Sequence, residues 1–287
     1  MNVVIKKDYQ EDDVLRKSFN ELAEKTFGLN FENWYRDGYW TSRYVPYSVI
    51  SDNKVISNIS VNRMDFEYNN EIRHYIQLGT VMTEKEYRKQ GYSRRIMEVI
   101  LKEYAQYDGI YLYANDNVLE FYPRFGFIAA KEYQYYTTVK LTGERKVEQV
   151  PMKTKKDWEY FLEEKRKRNS LGLAAMKNDG LLMFYLTQFM QDNVFYIAKL
   201  DAYVIAEVKE DTLGLFDIFA KGQISVRDVW EEFGKEIKKV IFSFTPQDTT
   251  GLIRFEVPVE NNTFFILGNK LKTDMREINS FPELSHA

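Results

Sequence analysis

The chain has 287 residues, 44% of them hydrophobic, a formal charge of −3 and no cysteine. The missing cysteine excludes disulfides, thiolate nucleophiles and thiolate metal sites, and two histidines, His74 and His286, are too few for a histidine metal cluster. Interspersed charge of both signs gives no general attraction to nucleic acid, and no run approaches the ~18 apolar residues of a membrane span, so a soluble cytoplasmic protein of two ordinary domains, free of metal, nucleic acid and membrane, is expected.

Residues 3–6 read as a first strand. From 12 to 26 the positions of Val14, Leu15, Phe19, Leu22 and Ala23 follow a helical period, and Gly28 ends it. Residues 31–47 are aromatic-rich and irregular, and ordering so many large side chains requires something to pack against. A strand at 48–50, a turn at Asp52 and Asn53, a strand at 55–66, a hairpin at Asn69 and Asn70 and a strand at 72–83 follow. An amphipathic helix spans 92–104, with Ile96, Met97, Val99, Ile100 and Leu101 on its apolar side. Then come a short buried strand at 110–114, a short helix at 117–122 ended by Pro123, and a strand at 127–139 that closes the sheet. Strand, helix and strand in alternation imply an α/β mixed sheet with helices on its faces.

Residues 142–156 are polar and charged and read as a linker. Beyond it the pattern predicts helices at 157–168, 181–190 and 226–233, and strands at 195–200, 202–208, 213–219, 240–244 and 264–267. That order loosely repeats the first half.

One stretch carries chemistry. A strand, Leu78-Gly-Thr-Val-Met-Thr83, leads to Arg88-Lys-Gln-Gly-Tyr-Ser93 at the start of a helix, and Phe121-Tyr-Pro-Arg-Phe-Gly-Phe127 follows about thirty residues later. The N–H groups of Lys89 to Arg94 have no intrahelical acceptor, and with the positive end of the helix dipole they form an anion site. Gly91 lets a diphosphate approach the backbone, and Gly79 inside a strand marks a bulge or splay.

This arrangement resembles the GNAT acyltransferase superfamily, whose members carry Arg/Gln-x-x-Gly-x-Gly/Ala between their fourth strand and third helix. Arg88, Gly91 and Ser93 occupy those places, Ser93 adding a hydroxyl where the family has nothing or a methyl. The resemblance covers roughly residues 1–140 and implies the GNAT fold. It places the pantetheine arm of acetyl-CoA against Val81, Met82 and Thr83, and the pyrophosphate on the N–H groups of Lys89, Gln90, Gly91, Tyr92, Ser93 and Arg94, with Arg88, Lys89 or Arg94 adding charge. Asn115 or Asn117 would touch the cofactor or cap a helix. The Met82 N–H would face the oxyanion, and Tyr122 would protonate the leaving thiolate. The general base is not identified: Asp65, Glu67 and Glu71 lie near the usual relay region, with ordinary surface charge as the other reading, and a terminal carboxylate at Ala287 is a further candidate.

The aromatic segment with Trp34, Tyr35, Asp37, Tyr39, Trp40 and Tyr44 either walls the acceptor pocket, holding an ammonium group by cation–π and carboxylate contacts, or packs against the second half. Residues 1–141 are thus expected to be a GNAT domain, and 157–287 a degenerate GNAT-like domain, with an unrelated α/β cap as the alternative. In that second half the turn reads Ala220-Lys-Gly-Gln-Ile-Ser225, without the arginine. The function implied is an N-acetyltransferase that uses acetyl-CoA and a small-molecule primary amine, with the second half shaping the acceptor site or a homo-oligomer interface. A noncatalytic acyl-CoA sensor and a protein lysine or N-terminal acetyltransferase are the alternatives.

Overall fold

The computed structural model describes residues 3–286. Its first elements are β1 (Val3–Lys7), α1 (Asp13–Phe27), α2 (Glu32–Arg36), β2 (Tyr44–Ser51), β3 (Lys54–Tyr68), β4 (Glu71–Thr83), α3 (Tyr92–Glu103), β5 (Gly109–Ala114) and β6 (Ile128–Ala129). There follow β7 (Tyr133–Thr138), β8 (Glu148–Gln149), α4 (Lys155–Arg166), β9 (Asn169–Ser170), β10 (Ala175–Met176), α5 (Asp179–Gln188), β11 (Val194–Ile197), β12 (Ala202–Lys209) and β13 (Thr212–Ala220). The last are α6 (Val226–Glu231), β14 (Lys239–Phe242), β15 (Ile253–Glu256), β16 (Thr263–Leu267) and α7 (Asn269–Ile278).

Local chemistry sets the early elements. Asp12 caps α1 by accepting from the N–H groups of Val14 and Leu15, and Gly28 ends it in the left-handed conformation. Asp52, Asn53, Asn69 and Asn70 all have positive φ, the backbone that two-residue hairpins require and that Asn and Asp tolerate best.

Two mixed sheets result. The first runs β1-β2-β3-β4-β5-β16-β6 and the second β8-β11-β12-β13-β14-β7-β15. On these two paths each sheet has one parallel pair in the same place, β4 with β5 and β13 with β14, and its other neighbours are antiparallel. The second sheet therefore repeats the plan of the first, α6 standing where α3 stands. The sixth position of each sheet is filled from the opposite end of the chain: β16 enters the first between β5 and β6, and β7 enters the second between β14 and β15.

This exchange corrects two expectations. The strand expected at 127–139 to close the first sheet divides into β6, which stays there, and β7, which crosses to the second; the strand at 264–267 belongs to the first. Strand periodicity records which side chains are buried and not which neighbour buries them. The segment 142–156 contributes β8, paired with β11. The helix expected at 117–122 is two 3₁₀ turns, at Asp116–Val118 and Tyr122–Phe125. Pro123 opens the second turn, where its missing N–H would have had no partner anyway.

Three buried clusters hold the molecule together. One lies between the first sheet and α3, with Ile96, Met97 and Ile100 against Ile76, Leu78 and Leu112. A matching one lies between the second sheet and α6, with Val229 and Trp230 against Val204, Leu215 and Phe242. The largest joins the halves and takes side chains from α1, α4, α5 and α7, among them Phe19, Phe161, Leu182 and Leu271.

Candidate active site

β4 and β5 pair in parallel from Tyr75 with Gly109 to Leu78 with Leu112, and the pairing stops there. Beyond Leu78 the β5-facing edge of β4 has no strand partner among the described residues. The β3–β4 register also slips between Asn58 and Ser60, and Thr80 takes a positive φ of 49°. A non-glycine residue holds that conformation only when its surroundings fix it. Here the Asn58 amide donates to the Thr80 carbonyl (2.8 Å) and the Tyr44 hydroxyl meets Thr80 Oγ1 (2.8 Å). Asn58 is itself fully buried, donates to Ser60 Oγ (2.9 Å) and accepts from Ser48 Oγ (2.8 Å), which meets the Tyr9 hydroxyl (2.6 Å). The bulge foreseen at Gly79 thus centres on Thr80, and Val81, Met82 and Thr83 follow it on the open edge.

Below that edge lies the N-terminus of α3. Gly91 is its N-cap, with φ 79° and ψ 8°, and no side chain caps the helix. None of the N–H groups from Lys89 to Arg94 donates to a protein acceptor among the described residues; the first bond of the turn is Arg95 N–H to the Gly91 carbonyl (3.1 Å). A Cβ built on Gly91 would meet nothing within 4 Å, so the ground above it is open to a ligand. The side chains around the turn also bond within the protein. Arg88 Nε donates to the Thr83 carbonyl (3.1 Å), Gln90 to the Glu86 carbonyl (3.0 Å) and Arg94 Nε to Glu98 (2.9 Å). Ser93 Oγ turns inward to Thr83 Oγ1 (3.0 Å) and Ser57 Oγ (3.4 Å), so the extra hydroxyl is absorbed by the fold.

In the second half the equivalent helix start is closed. Ser225 Oγ accepts from the Asp228 N–H (3.2 Å) and the Asp228 carboxylate accepts from the Ser225 N–H (2.8 Å). A capping box puts the chain's own carboxylate where α3 leaves bare donors.

Two polar groups lie on opposite faces of the first sheet, beside β5 and β16. On the α3 face, Tyr122 is buried and its ring packs 5.6 Å from Phe265, the residue paired with Leu112. Burial pushes its hydroxyl up to about 12, and that hydroxyl has no protein hydrogen bond among the described residues, so at neutral pH it carries a proton it can donate. On the other face Tyr113, next after Leu112, donates from its hydroxyl to Glu132 Oε1 (2.9 Å) and meets His286 Nε2 at 2.7 Å. The Tyr113 and His286 rings stack at 3.9 Å, and the Tyr185 hydroxyl donates to the His286 carbonyl. Glu132 and His286 border a cavity of about 230 Å³. Desolvation raises the Glu132 carboxyl to about 7 and holds the His286 imidazole well below the usual histidine range.

Asn115 and Asn117 are exposed, and Asn115 makes no cap bond. Trp34, Trp40 and Tyr44 are at most 5% exposed and pack with Phe19, Phe31 and Phe184 in the cluster joining the halves. Trp34 Nε1 donates to the Gly180 carbonyl on α5 (2.8 Å), and Tyr35 bonds Glu11 while Arg16 lies 3.9 Å over its ring. Of the two readings of this segment the structure adopts packing against the second half, and Asp37 merely ends α2. Asp65 pairs with Arg43 and His74, Glu67 with Lys177 and Glu71 with Arg73, which is the surface-charge reading. Ala287 lies outside the described residues. Sequence reasoning missed Asn58, for which an asparagine inside a strand otherwise buried was the available signal. It also missed Tyr113, Glu132 and His286, which no local pattern connects.

Among the described residues no group of three or more His, Asp or Glu is placed to hold a metal ion, and no helix is long and apolar enough to cross a membrane. No curated protein sequence matches the chain. Among solved structures it is similar to a conserved protein of unknown function, described as a probable N-acyltransferase, from Enterococcus faecalis V583 (15% identity, TM-score 0.66, 95% of this chain and 74% of that one). It is also similar to Eis1 from Mycobacterium abscessus (10%, TM-score 0.60, 96% and 76%) and to a GCN5-related N-acetyltransferase from Kribbella flavida (15%, TM-score 0.58, 92% and 71%). At such identities these likenesses concern the fold. Residues 8–130, which hold the splayed strands and the uncapped helix, match the family described as "Acetyltransferase (GNAT) domain", and the fold of the chain is GNAT-like.

Proposed function

We propose that this chain transfers the acetyl group of acetyl-CoA to the amine of a small molecule by direct attack while both substrates are bound. The observation that carries this reading is the bare N-terminus of α3, with left-handed Gly91 and six unengaged N–H groups, set beneath the unpaired edge of β4. Oriented amides and the helix dipole favour a diphosphate there, and the free edge offers a pantetheine arm the pairing a strand would have made. The Met82 backbone is the candidate donor to the carbonyl oxygen as it becomes an oxyanion. Tyr122 gives its proton to the departing thiolate, whose conjugate acid has a pKa of roughly 8.5. The self-capped start of α6 leaves the second half without a comparable anion site, so one cofactor per chain is expected.

Calorimetric titration with acetyl-CoA, run beside Gly91→Glu and with ATP as a phosphate control, tests the reading. Because no protein atom lies near a Cβ at Gly91, the variant blocks the ligand and repels its phosphates without crowding the fold; the strain of its positive φ is about 1 kcal/mol. Binding of acetyl-CoA at one site per chain, lost in the variant, supports the proposal. Equal binding by the variant removes the phosphate-turn assignment, and no binding by the wild type removes the reading.

A further inference from the structure

The cavity beside Tyr113 lies where the chain crosses between its two sheets. Glu132 is in the segment joining β6 to β7, Val257 to Asn262 are in the segment joining β15 to β16, and residues 280–286 close it. It therefore exists only because of the exchanged strands. Its lining contains two carboxylates, Glu132 and Glu283, and two aromatic rings, Phe264 and Phe281, but no lysine or arginine. Ser280 Oγ, on the same wall, is buried without a protein partner. Carboxylate, aromatic faces and a spare hydroxyl with no competing cation are the chemistry that holds an alkylammonium group. At about 230 Å³ the cavity is below the ~300–1,000 Å³ of pockets for drug-sized ligands, so it takes a small amine or the amine-bearing end of a longer molecule.

We propose that this cavity receives the ammonium group of the acyl acceptor, and that Glu132 binds it and takes its proton. The assignment rests on the acyl-transfer reading above and adds the acceptor's site and base. Gly79 and Tyr113 are the first residues past the last paired couple, Leu78 and Leu112, so Tyr113 and the Glu132 bonded to it stand at the mouth of the opening. They stand on the face opposite Tyr122. The amine therefore reaches the thioester from one side while the thiolate is protonated from the other.

The step balances without a further reactant. R–NH₃⁺ gives one proton to the Glu132 carboxylate, and the freed lone pair forms the C–N bond. Collapse breaks the C–S bond, the thiolate takes the Tyr122 proton, the second proton of the nitrogen leaves to water on the Glu132 side, and Tyr122 is reprotonated from water. Glu132 then returns its proton to water.

The groups facing Glu132 suit this role. Tyr113 and Tyr111 come from β5, Tyr185 from α5, and Glu283 and His286 from the closing segment, and the Phe281 backbone hydrogen bonds Glu132. Lys131 is engaged with Glu256, and Arg254 lies over the Tyr133 ring. Tyr113 and His286 stay neutral, because burial raises the one and lowers the other. Tyr113 has one hydroxyl proton for two acceptors, so ionisation of Glu132 draws that proton to the carboxylate and leaves His286 Nε2–H to donate to the Tyr113 oxygen. A carboxyl that titrates near 7 is matched to accepting a proton at neutral pH.

The test uses the full chain labelled with ¹³C at glutamate carboxyls, with benzylamine and 1,4-diaminobutane as probes and benzyl alcohol as control. The Glu132 resonance is identified by its loss in Glu132→Gln or, should that variant fail to fold, by its displacement in Tyr113→Phe. It is expected to titrate near neutrality and to move with either amine but not with the alcohol. Thiol release from acetyl-CoA with the same amines should fall at least tenfold in Glu132→Gln, and its pH profile should lose the limb near 7, while acetyl-CoA affinity stays within twofold. No displacement by either amine overturns the site even where acetyl-CoA binds. Displacement without thiol release by the wild type overturns the role in transfer, and an amine response with no acetyl-CoA binding leaves the cavity standing and removes the acyltransferase reading instead.

Discussion

Ser93 Oγ stands 3.0 Å from Thr83 Oγ1, so the first turn of α3 is latched to the last residue of β4. The two elements that frame the proposed cofactor site are thereby held in register by a hydroxyl that a glycine or alanine would lack. Ser93→Ala should cost little. Thr83 and Ser57 still meet each other at 2.8 Å, so no buried hydroxyl is orphaned, and the loss is that of one hydrogen bond, about 1 kcal/mol. Urea melts would measure it, and calorimetry should find acetyl-CoA affinity within twofold, since the backbone donors are untouched. A tenfold loss would mean that the hydroxyl itself contacts the ligand.

Tyr122→Phe separates chemistry from structure unusually well. Its hydroxyl has no protein partner among the described residues, and the ring contacts with Phe127 and Phe265 remain. Stability is expected to change by less than about 0.5 kcal/mol. Removal of a proton donor from the transition state should lower kcat by about 10²-fold while leaving the Kd for acetyl-CoA within a few-fold. Steady-state rates measured by thiol release would show this, and full activity in the variant would assign the acid elsewhere.

Glu132 makes stability depend on pH in a definite direction. Its carboxyl rises from 4.5 to about 7 on folding, so between those values the folded protein holds a proton that the unfolded chain has released. The stabilising contribution of the protonated form is complete below pH 4.5 and is lost as pH rises through 7. The span corresponds to about 3 kcal/mol at 1.4 kcal/mol per pH unit, less whatever cavity water returns. His286 acts in the opposite sense, because its neutral form is favoured on folding and stability falls as pH drops below 6.5. Comparison of wild type with Glu132→Gln cancels that shared term. The variant should gain on the wild type by up to about 3 kcal/mol between pH 4.5 and 8 in urea melts, and a constant difference would show that Glu132 titrates normally.

The parts of this protein that local pattern governs were legible in its sequence. The helix from Asp13 to Phe27, the two Asn- and Asp-rich turns, the strand before the Arg88 to Ser93 turn and the amphipathic α3 all follow from spacing and from residues with particular backbone tastes. The uncapped start of α3 was legible too, because Gly91 and the residues after it offer no capping side chain. What could not be read was partnership. Trp34 and Trp40 have the composition of a ligand wall, and it is their packing with Phe19, Phe31 and, for Trp34, Phe184 of α5 that makes them core. Glu132 lies 19 residues from Tyr113 and His286 lies 173 away, and nothing in either neighbourhood announces the pairing. α7 escaped notice because its buried face is only Leu271, Asp274, Met275 and Ile278, too sparse for a periodic signal.

The strand exchange yields the most demanding prediction. β16 sits between β5 and β6 with Phe264, Phe265 and Ile266 each 2–3% exposed, so a chain ended at residue 141 would leave the β5 edge and the apolar surface under Tyr122 open to water. It would also carry β7, whose partners β14 and β15 are absent. Unpaired edges of this kind template aggregation. Residues 1–141 expressed alone should therefore be insoluble or molten, judged by near-ultraviolet circular dichroism and sedimentation, although they contain the whole of the family match at 8–130. In the full chain, Phe265→Ala should cost about 3–5 kcal/mol and unfold both halves in one transition, because the first half completes its sheet with a strand of the second and the second with a strand of the first. Two separated transitions in that variant, or a cooperative fold for 1–141 alone, would show that the exchanged strands are additions to two independent domains and not the joint that makes them one cooperative unit.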